Sequence, residues 1–210
     1  MQKKELIIFD MDGTLIDSGN VITNTINFVR GQLGLKAIEK NLMLEQLNNP
    51  DINSAEYFYG TSKFTDEQTA LFTEYYDKNC ISDIILYDGI KEMLESLESH
   101  FKLAVATNAS RDFAVKMIEH LKIDSHFDLI VGATCVKNSK PHPDMIHKTL
   151  NDLNIIDNKA ILIGDSCKDQ RAANAANIDS ILVNWGFTNH EIGEVVTNTS
   201  NLHQILLQLK

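Results

Sequence analysis

Asp10 and Asp12 are the residues in this chain most suited to chemistry, because they follow the apolar run 6–9 with one residue between them. Side chains alternate along an extended segment, so both carboxylates can point the same way where the run ends, and Gly13 permits a tight turn. Two carboxylates about 4 Å apart repel by roughly 4 kcal/mol at an effective dielectric near 20. Protonation or a divalent cation relieves that repulsion, and oxygen ligands favour Mg²⁺.

Three later apolar runs also end in polar residues that suit phosphate chemistry. Thr107 and Asn108 follow the run 103–106, and both can donate hydrogen bonds to an anion. The run 127–132 leads to Lys140, which stands before two prolines that restrict the backbone and fit a turn into a helix. The run 161–164 leads to Asp165, with Asp169 one helical turn further on.

Each of these segments has an ordinary explanation when it is taken alone. An isolated Asp-x-Asp is more often an acidic turn, a Thr-Asn pair a helix cap, and a lysine a solvated surface charge. Together, four apolar runs present an acid pair, a hydroxyl, a cation and a second acid pair. In a doubly wound α/β sheet the carboxyl ends of parallel strands meet at one crevice, so the pattern predicts a single site there.

With these segments the chain resembles the haloacid dehalogenase (HAD) superfamily, in its phosphatase branch. The matching motifs are Asp-x-Asp-Gly-Thr at 10–14, the strand-ending Thr107, Lys-Pro-x-Pro at 140–143 and Gly-Asp-Ser-x-x-Asp at 164–169. The segment 185–187 is similar to phosphoglycolate phosphatase-like members. The resemblance implies a doubly wound parallel-sheet, Rossmann-like core with an inserted α-helical cap.

The resemblance also implies a role for each motif residue. Asp10 matches the nucleophile that forms an aspartyl-phosphate, and Asp12 matches the general acid/base. Thr107 and Asn108 match donors to the phosphoryl oxygens, and Lys140 matches the residue that neutralises charge around the transferring group. The implied Mg²⁺ ligands are Asp10, the backbone carbonyl of Asp12, Asp165, and Asp169 as a supporting or water-mediated acid.

The stretch between the first strand and the next core helix is predicted to be helical. Apolar residues from Val21 to Leu33 keep a helical spacing, and Gly34 offers an end; further helices are expected at 42–47 and 67–76. We therefore expect a catalytic core at 1–15 and 86–210 and a helical cap at 16–85. Candidate substrate-facing residues of the cap are Arg30, Lys36, Lys40, Lys63, Tyr57 and Tyr59, and the sequence selects none of them.

Charge and composition narrow the class of protein. A formal net charge of −10 with three arginines argues against a nucleic-acid surface. The apolar runs are too short for a bilayer and the N-terminus lacks a signal-peptide pattern, so a cytoplasmic enzyme without membrane contact is expected. Three cysteines without metal spacing are expected to be reduced. No feature of the sequence determines the oligomeric state.

The sequence thus predicts a Mg²⁺-dependent phosphatase that acts on a small phosphorylated metabolite and resembles phosphoglycolate phosphatase. Two alternatives stay open. A β-phosphoglucomutase-type phosphotransferase would share the core residues and release an isomerised sugar phosphate. A regulatory module that accepts a phosphoryl group would also use acids, a Thr and a Lys on a parallel sheet, although Asp12 would shorten the lifetime of its phosphorylated state.

Overall fold

The computed structural model describes residues 3–187 and 195–210, so residues 1, 2 and 188–194 of the predicted core lie outside the described residues. The main sheet has five parallel strands in the order β5-β4-β1-β6-β7. The strands are β1 (Leu6–Phe9), β4 (Lys102–Ala106), β5 (Leu129–Val131), β6 (Ala160–Gly164) and β7 (Asp179–Leu182). The predicted parallel α/β fold is confirmed.

Both faces of the sheet are buried, which explains why β1 is apolar at every position. Its side chains alternate between two cores: Ile7 and Phe9 belong to one, and Leu6 and Ile8 to the other. The helices of the first core are α5 (Ile90–Leu97), α6 (Arg111–His120) and α9 (Thr199–Leu207), and those of the second are α7 (Asp144–Leu153) and α8 (Cys167–Ala175).

Four helices lie between two short strands that leave and rejoin the core. The strands β2 (Ile16–Asp17) and β3 (Ile85–Leu86) pair antiparallel. The helices between them are α1 (Gly19–Gln32), α2 (Lys40–Leu47), α3 (Ser54–Tyr59) and α4 (Asp66–Asn79). We call residues 19–79 the helical insertion. Its helices α1, α2 and α4 follow the predicted pattern, whereas α3 was not predicted.

Two helix ends have the residues and conformations that the sequence predicts. Ser110 caps α6, since its hydroxyl accepts a hydrogen bond from the Phe113 N–H at 3.4 Å. Asn177, just beyond α8, has φ 55°, which is the left-handed conformation expected of an asparagine at that position. Within residues 3–187 and 195–210, none of the helices has the length and apolar character needed to span a bilayer.

Candidate active site

Strand register brings the predicted residues to one edge of the sheet. Phe9, the last residue of β1, lies beside Val105 of β4 and Ile163 of β6. The polar residues that follow these strands therefore emerge together, as parallel strands require. The order of the strands changes direction at β1, so Asp10 lies at the switch point of the sheet.

Lys140 forms the centre of a buried ion-pair group. Its Nζ donates to Asp10 Oδ1 and to Asp169 Oδ1, each at 2.6 Å. Only 2% of the Lys140 side chain is exposed, so solvent screens these pairs weakly. Lys140 lies in the loop between β5 and α7, where the Lys140–Pro141 peptide is cis. One cation thus orients an acid from the end of β1 and an acid from α8.

Burial and neighbouring charges change the protonation of this group. Burial raises the pKa of Asp10 to about 7, with Lys140 opposing the change and Asp169 adding to it. Burial also raises the pKa of Asp165, and the charges of Asp10 and Asp169 raise it further. Burial alone would lower the pKa of Lys140, but the carboxylates of Asp10 and Asp169 outweigh it and hold that pKa above its usual value. Lys140 therefore stays protonated, but its single positive charge does not offset the repulsion among Asp10, Asp165 and Asp169.

Asp12 has different partners from Asp10. Its Oδ1 accepts a short hydrogen bond from the Ser18 hydroxyl, and its Oδ2 accepts one from Thr107 Oγ1 at 3.4 Å. Burial raises the pKa of Asp12, which these two donors and Lys140 oppose. A carboxyl group held by two hydroxyls, beside a nucleophile candidate, is suited to giving and taking a proton.

Asn108 holds the Lys140 loop in place. Its Nδ2 donates to the Lys140 carbonyl at 2.9 Å, and its Oδ1 accepts from the Lys140 N–H at 3.0 Å. The amide therefore pairs with both backbone groups of one residue. In this structure the Asn108 side chain positions the lysine, and its predicted contact with a phosphoryl oxygen stays a prediction.

Three carboxylates form a cluster that could hold a metal ion. One oxygen each from Asp10, Asp165 and Asp169 lies within 4.8 Å of the others, and all three residues are buried. An all-oxygen set of carboxylates fits a hard divalent cation such as Mg²⁺. The Asp12 carboxylate is not part of this cluster, and the role of its backbone carbonyl as a ligand stays a prediction.

Gly13 lets the first strand end close to Asp165. Its φ is 83°, and a Cβ at this position would lie 2.2 Å from Asp165 Oδ2. A larger residue would therefore be strained in its backbone and would displace the acid. The segment 185–187 completes this corner: the Phe187 N–H donates to Asp165 Oδ2 at 3.1 Å, and Trp185 Nε1 donates to the Thr14 carbonyl at 3.0 Å.

Two contacts join the helical insertion to the site. Asn48, at the end of α2, donates from Nδ2 to Asp165 Oδ2 at 3.1 Å. Lys168, in the first turn of α8, donates from Nζ to the Leu47 carbonyl at 2.6 Å. Burial lowers the pKa of Lys168. Both contacts place the end of α2 directly over the acid cluster.

A cavity of about 360 Å³ opens onto these residues. Its core side includes Asp10, Asp12, Thr107, Lys140 and Asp169, and the helical insertion supplies part of its wall. The volume lies at the lower end of the roughly 300–1,000 Å³ that small-molecule sites occupy. The site is thus sized for a small molecule.

The comparison with known proteins agrees with this geometry. The model of the haloacid dehalogenase-like hydrolase family matches residues 7–183, which include the four motifs at 10–14, 107, 140–143 and 164–169. The chain belongs to the haloacid dehalogenase-like hydrolase family.

Relatives of this haloacid dehalogenase-like hydrolase include phosphatases of similar length. It is 30% identical to a phosphoglycolate phosphatase of Colwellia psychrerythraea, with 89% of this chain and 87% of that protein covered. It is 34% identical to a phosphoglycolate phosphatase of Aquifex aeolicus, with 87% and 85% covered. A predicted phosphatase from Clostridium acetobutylicum has a similar structure, with a TM-score of 0.86, 28% identity, and 99% and 100% covered. This HAD-like hydrolase is a phosphatase, a phosphoric monoester hydrolase.

Sequence patterns missed three polar residues of the site in this HAD-like hydrolase. Ser18 is a buried hydroxyl without a motif of its own, and Asn48 follows α2 at a helix end that the sequence predicted without indicating its contact with the site. Lys168 lies inside the fourth motif at a variable position, so its proximity to the acids could have been inferred. Nothing in the sequence indicated its contact with Leu47.

Proposed function

We propose that this phosphatase hydrolyses a small phosphate monoester in a Mg²⁺-dependent reaction that passes through an aspartyl-phosphate on Asp10. The proposal rests on the different partners of Asp10 and Asp12. Asp10 pairs with Lys140 and belongs to the acid cluster, whereas Asp12 is held by the hydroxyls of Ser18 and Thr107. These surroundings support attack by Asp10 and proton transfer by Asp12.

In the first step, a carboxylate oxygen of Asp10 attacks phosphorus and the bond from phosphorus to the alcohol oxygen breaks. Asp12, in its protonated form, gives its proton to the departing alcohol oxygen. Lys140 remains protonated and balances negative charge at the transferring phosphoryl group. The products of this step are the free alcohol and a phosphoryl group bonded to Asp10.

In the second step, water attacks the phosphorus of that phosphoryl group. Asp12, now ionised, takes a proton from the water, and the bond between phosphorus and the Asp10 oxygen breaks. Inorganic phosphate leaves, Asp10 is restored as a carboxylate, and Asp12 is protonated for the next turnover. The same acid thus serves both half-reactions because it returns to its starting state.

Asp10, Asp165 and Asp169 would hold the Mg²⁺, together with the backbone carbonyl of Asp12. When bound, the ion supplies electrostatic stabilisation of the phosphoryl oxygens. Its charge also offsets the repulsion among the clustered acids. The closeness of the three carboxylates to one another supports this assignment.

The helical insertion would act as the cap, and we keep the division into a core at 1–15 and 86–210 and a cap at 16–85. Its contacts with the site support this role, since Asn48 reaches Asp165 and Lys168 reaches Leu47. A cap in this place would exclude bulk water while the phosphoryl group is transferred. It would also line the space that receives the alcohol.

The test is phosphate release from a panel of small phosphate monoesters, including phosphoglycolate, with and without Mg²⁺. We expect turnover only with Mg²⁺, and a loss of at least about 10³-fold in kcat for Asp10→Asn. Asp124→Asn, at an exposed position, is the matched control. Undiminished turnover by Asp10→Asn would overturn the mechanism.

The same assay separates the alternatives. A phosphoglucomutase-type enzyme would yield an isomerised sugar phosphate rather than free phosphate. A regulatory module would yield a stable phosphoprotein without repeated turnover.

A further inference from the structure

The helical insertion supplies an apolar wall to the cavity. Most of the residues it contributes carry hydrocarbon or aromatic side chains, and among the described residues none of its contributions is charged. They are Ile22, Ile26, Leu47, Phe72 and Tyr76, with Asn48 and Thr73 as the polar members. Asn48 is already engaged with Asp165. The polar chemistry of the cavity therefore comes mainly from the core.

Aromatic rings make this wall continuous with the core. Phe72 stacks on Tyr76 with ring centroids 5.3 Å apart, and Tyr76 meets Phe113 of α6 edge-on at 4.9 Å. The Tyr76 hydroxyl donates to Met117 Sδ at 3.6 Å, so its polar end is engaged inside the protein. We call Phe72, Tyr76 and Phe113 the aromatic wall. The aromatic wall presents ring surface to a ligand in the cavity.

The cations that line the cavity belong to the core and not to the helical insertion. Lys140 pairs with Asp10 and Asp169, and Lys168 donates to the Leu47 carbonyl. These are the lining cations of the part of the chain that the structure describes. The cationic candidates of the helical insertion do not line the cavity, and Arg30 donates to the carbonyls of Lys36 and Phe58.

We propose that the alcohol portion of the substrate is uncharged and apolar, and that an aromatic ring is the favoured group. This inference rests on the proposed phosphatase function. A carboxylate beside the ester would meet an apolar wall that supplies no cation, and burying a charge without a partner is unfavourable. A ring instead gains contact with the aromatic wall. Phosphoglycolate carries such a carboxylate, so this chain should disfavour it.

The test compares kcat/KM for benzyl phosphate, ethyl phosphate and phosphoglycolate with Mg²⁺. All three release an alkyl alcohol, so the comparison reports on the cavity more than on the leaving group. We expect benzyl phosphate to exceed phosphoglycolate by about tenfold or more, with ethyl phosphate between them. A higher kcat/KM for phosphoglycolate than for benzyl phosphate would overturn the inference and leave the proposed function intact.

Hydrolysis of none of the three esters, nor of any member of the wider panel, would overturn the proposed function and this inference with it. A reversed order of kcat/KM would overturn this inference alone, so the two outcomes are distinguishable.

Two variants test the wall directly. Phe72→Ala should lower kcat/KM for benzyl phosphate by about tenfold, whereas Phe64→Ala, which removes an exposed aromatic of the same insertion, should not. An equal kcat/KM for benzyl phosphate in wild type and Phe72→Ala would contradict the role of the wall.

Thr73→Arg keeps the inference testable if Phe72→Ala fails to fold, because Thr73 is exposed and lines the cavity. The added cation should raise the ratio of kcat/KM for phosphoglycolate to that for benzyl phosphate by about fivefold or more. Asn41→Arg adds the same charge at an exposed position of α2 outside the cavity and should leave the ratio as in wild type. An unchanged ratio in Thr73→Arg would contradict the inference.

Discussion

Lys140 Nζ lies 2.6 Å from Asp10 Oδ1, although the two residues are 130 positions apart in the chain. The ammonium group thereby orients the carboxylate assigned as the nucleophile and leaves a cation where phosphoryl charge would develop. Because both groups are buried, the pair is an internal part of the site, unlike the exposed ion pairs elsewhere on the surface.

Lys140→Met should lower kcat by about 10²-fold or more, because it removes the charge that balances the transferring group. Steady-state phosphate release with the best ester of the panel measures the effect. Lys137→Met, three residues earlier at an exposed position, is the control and should match wild type. Comparable kcat values for the two variants would contradict the role of Lys140.

Ser18→Ala should lower kcat by about tenfold, because the Ser18 hydroxyl orients the Asp12 carboxyl group. The KM should stay within about twofold of wild type, since the hydroxyl is assigned no contact with the ester. Ser99→Ala, at an exposed position, is the control. An effect confined to KM would argue against the positioning role.

These two predictions differ in how far the sequence could have suggested them. Thr107 and Asp165 directly follow β4 and β6, and Lys140 lies in the loop after β5, so the pattern of polar residues after apolar runs predicted that they would meet Asp10. Ser18 follows β2 and reaches Asp12 because of the path of the chain through the turn, which residue types do not reveal.

The contacts of the helical insertion could not be predicted from the sequence, for a related reason. Asn48 and Lys168 meet their partners only once α2 has packed against the core, and that packing depends on long-range contacts. The short helix α3 has six residues, too few for a helical period to stand out. The Asn108 amide pairs with both backbone groups of Lys140, which the sequence did not predict because the two residues meet only in the folded chain.

The raised pKa of Asp10 predicts a pH-dependent stability in protein stripped of divalent ions. The folded-state pKa is about 7 against an ordinary value of 3.8, so between about pH 4 and 7 the folded protein binds more protons at this residue than the unfolded chain does. The contribution of Asp10 to stability is therefore present at low pH and is lost as the pH rises through about 7.

Asp10→Asn removes this titration, so its Tm relative to wild type should rise from pH 5 to pH 8 by about 2 °C or more in the presence of chelator. Thermal unfolding followed by circular dichroism measures it. Asp124→Asn should show a constant Tm difference from wild type. A difference between Asp10→Asn and wild type that shrinks with rising pH would have the wrong sign for a buried Asp10.

Mg²⁺ should stabilise the wild-type protein, because an ion that binds only the folded state raises its free energy of unfolding. At about 100 times the dissociation constant, Tm should rise by about 5 °C or more. Asp165→Asn should lose most of this rise, whereas Asp152→Asn, at an exposed position, should keep it. An equal rise in Asp165→Asn and wild type would remove Asp165 from the metal site.

Asp10 is proposed to carry the phosphoryl group during turnover. Acid quenching of the enzyme during steady-state hydrolysis with Mg²⁺, followed by peptide mass spectrometry, detects that group. Asp12→Ala should be quenched alongside wild type with p-nitrophenyl phosphate, because this alcohol leaves without needing a proton whereas the hydrolysis step still needs Asp12. We predict one added phosphoryl group on Asp10, absent without substrate and absent in Asp10→Asn. Turnover at full rate with no phosphoryl group on Asp10, or with the group on another residue, would contradict the account.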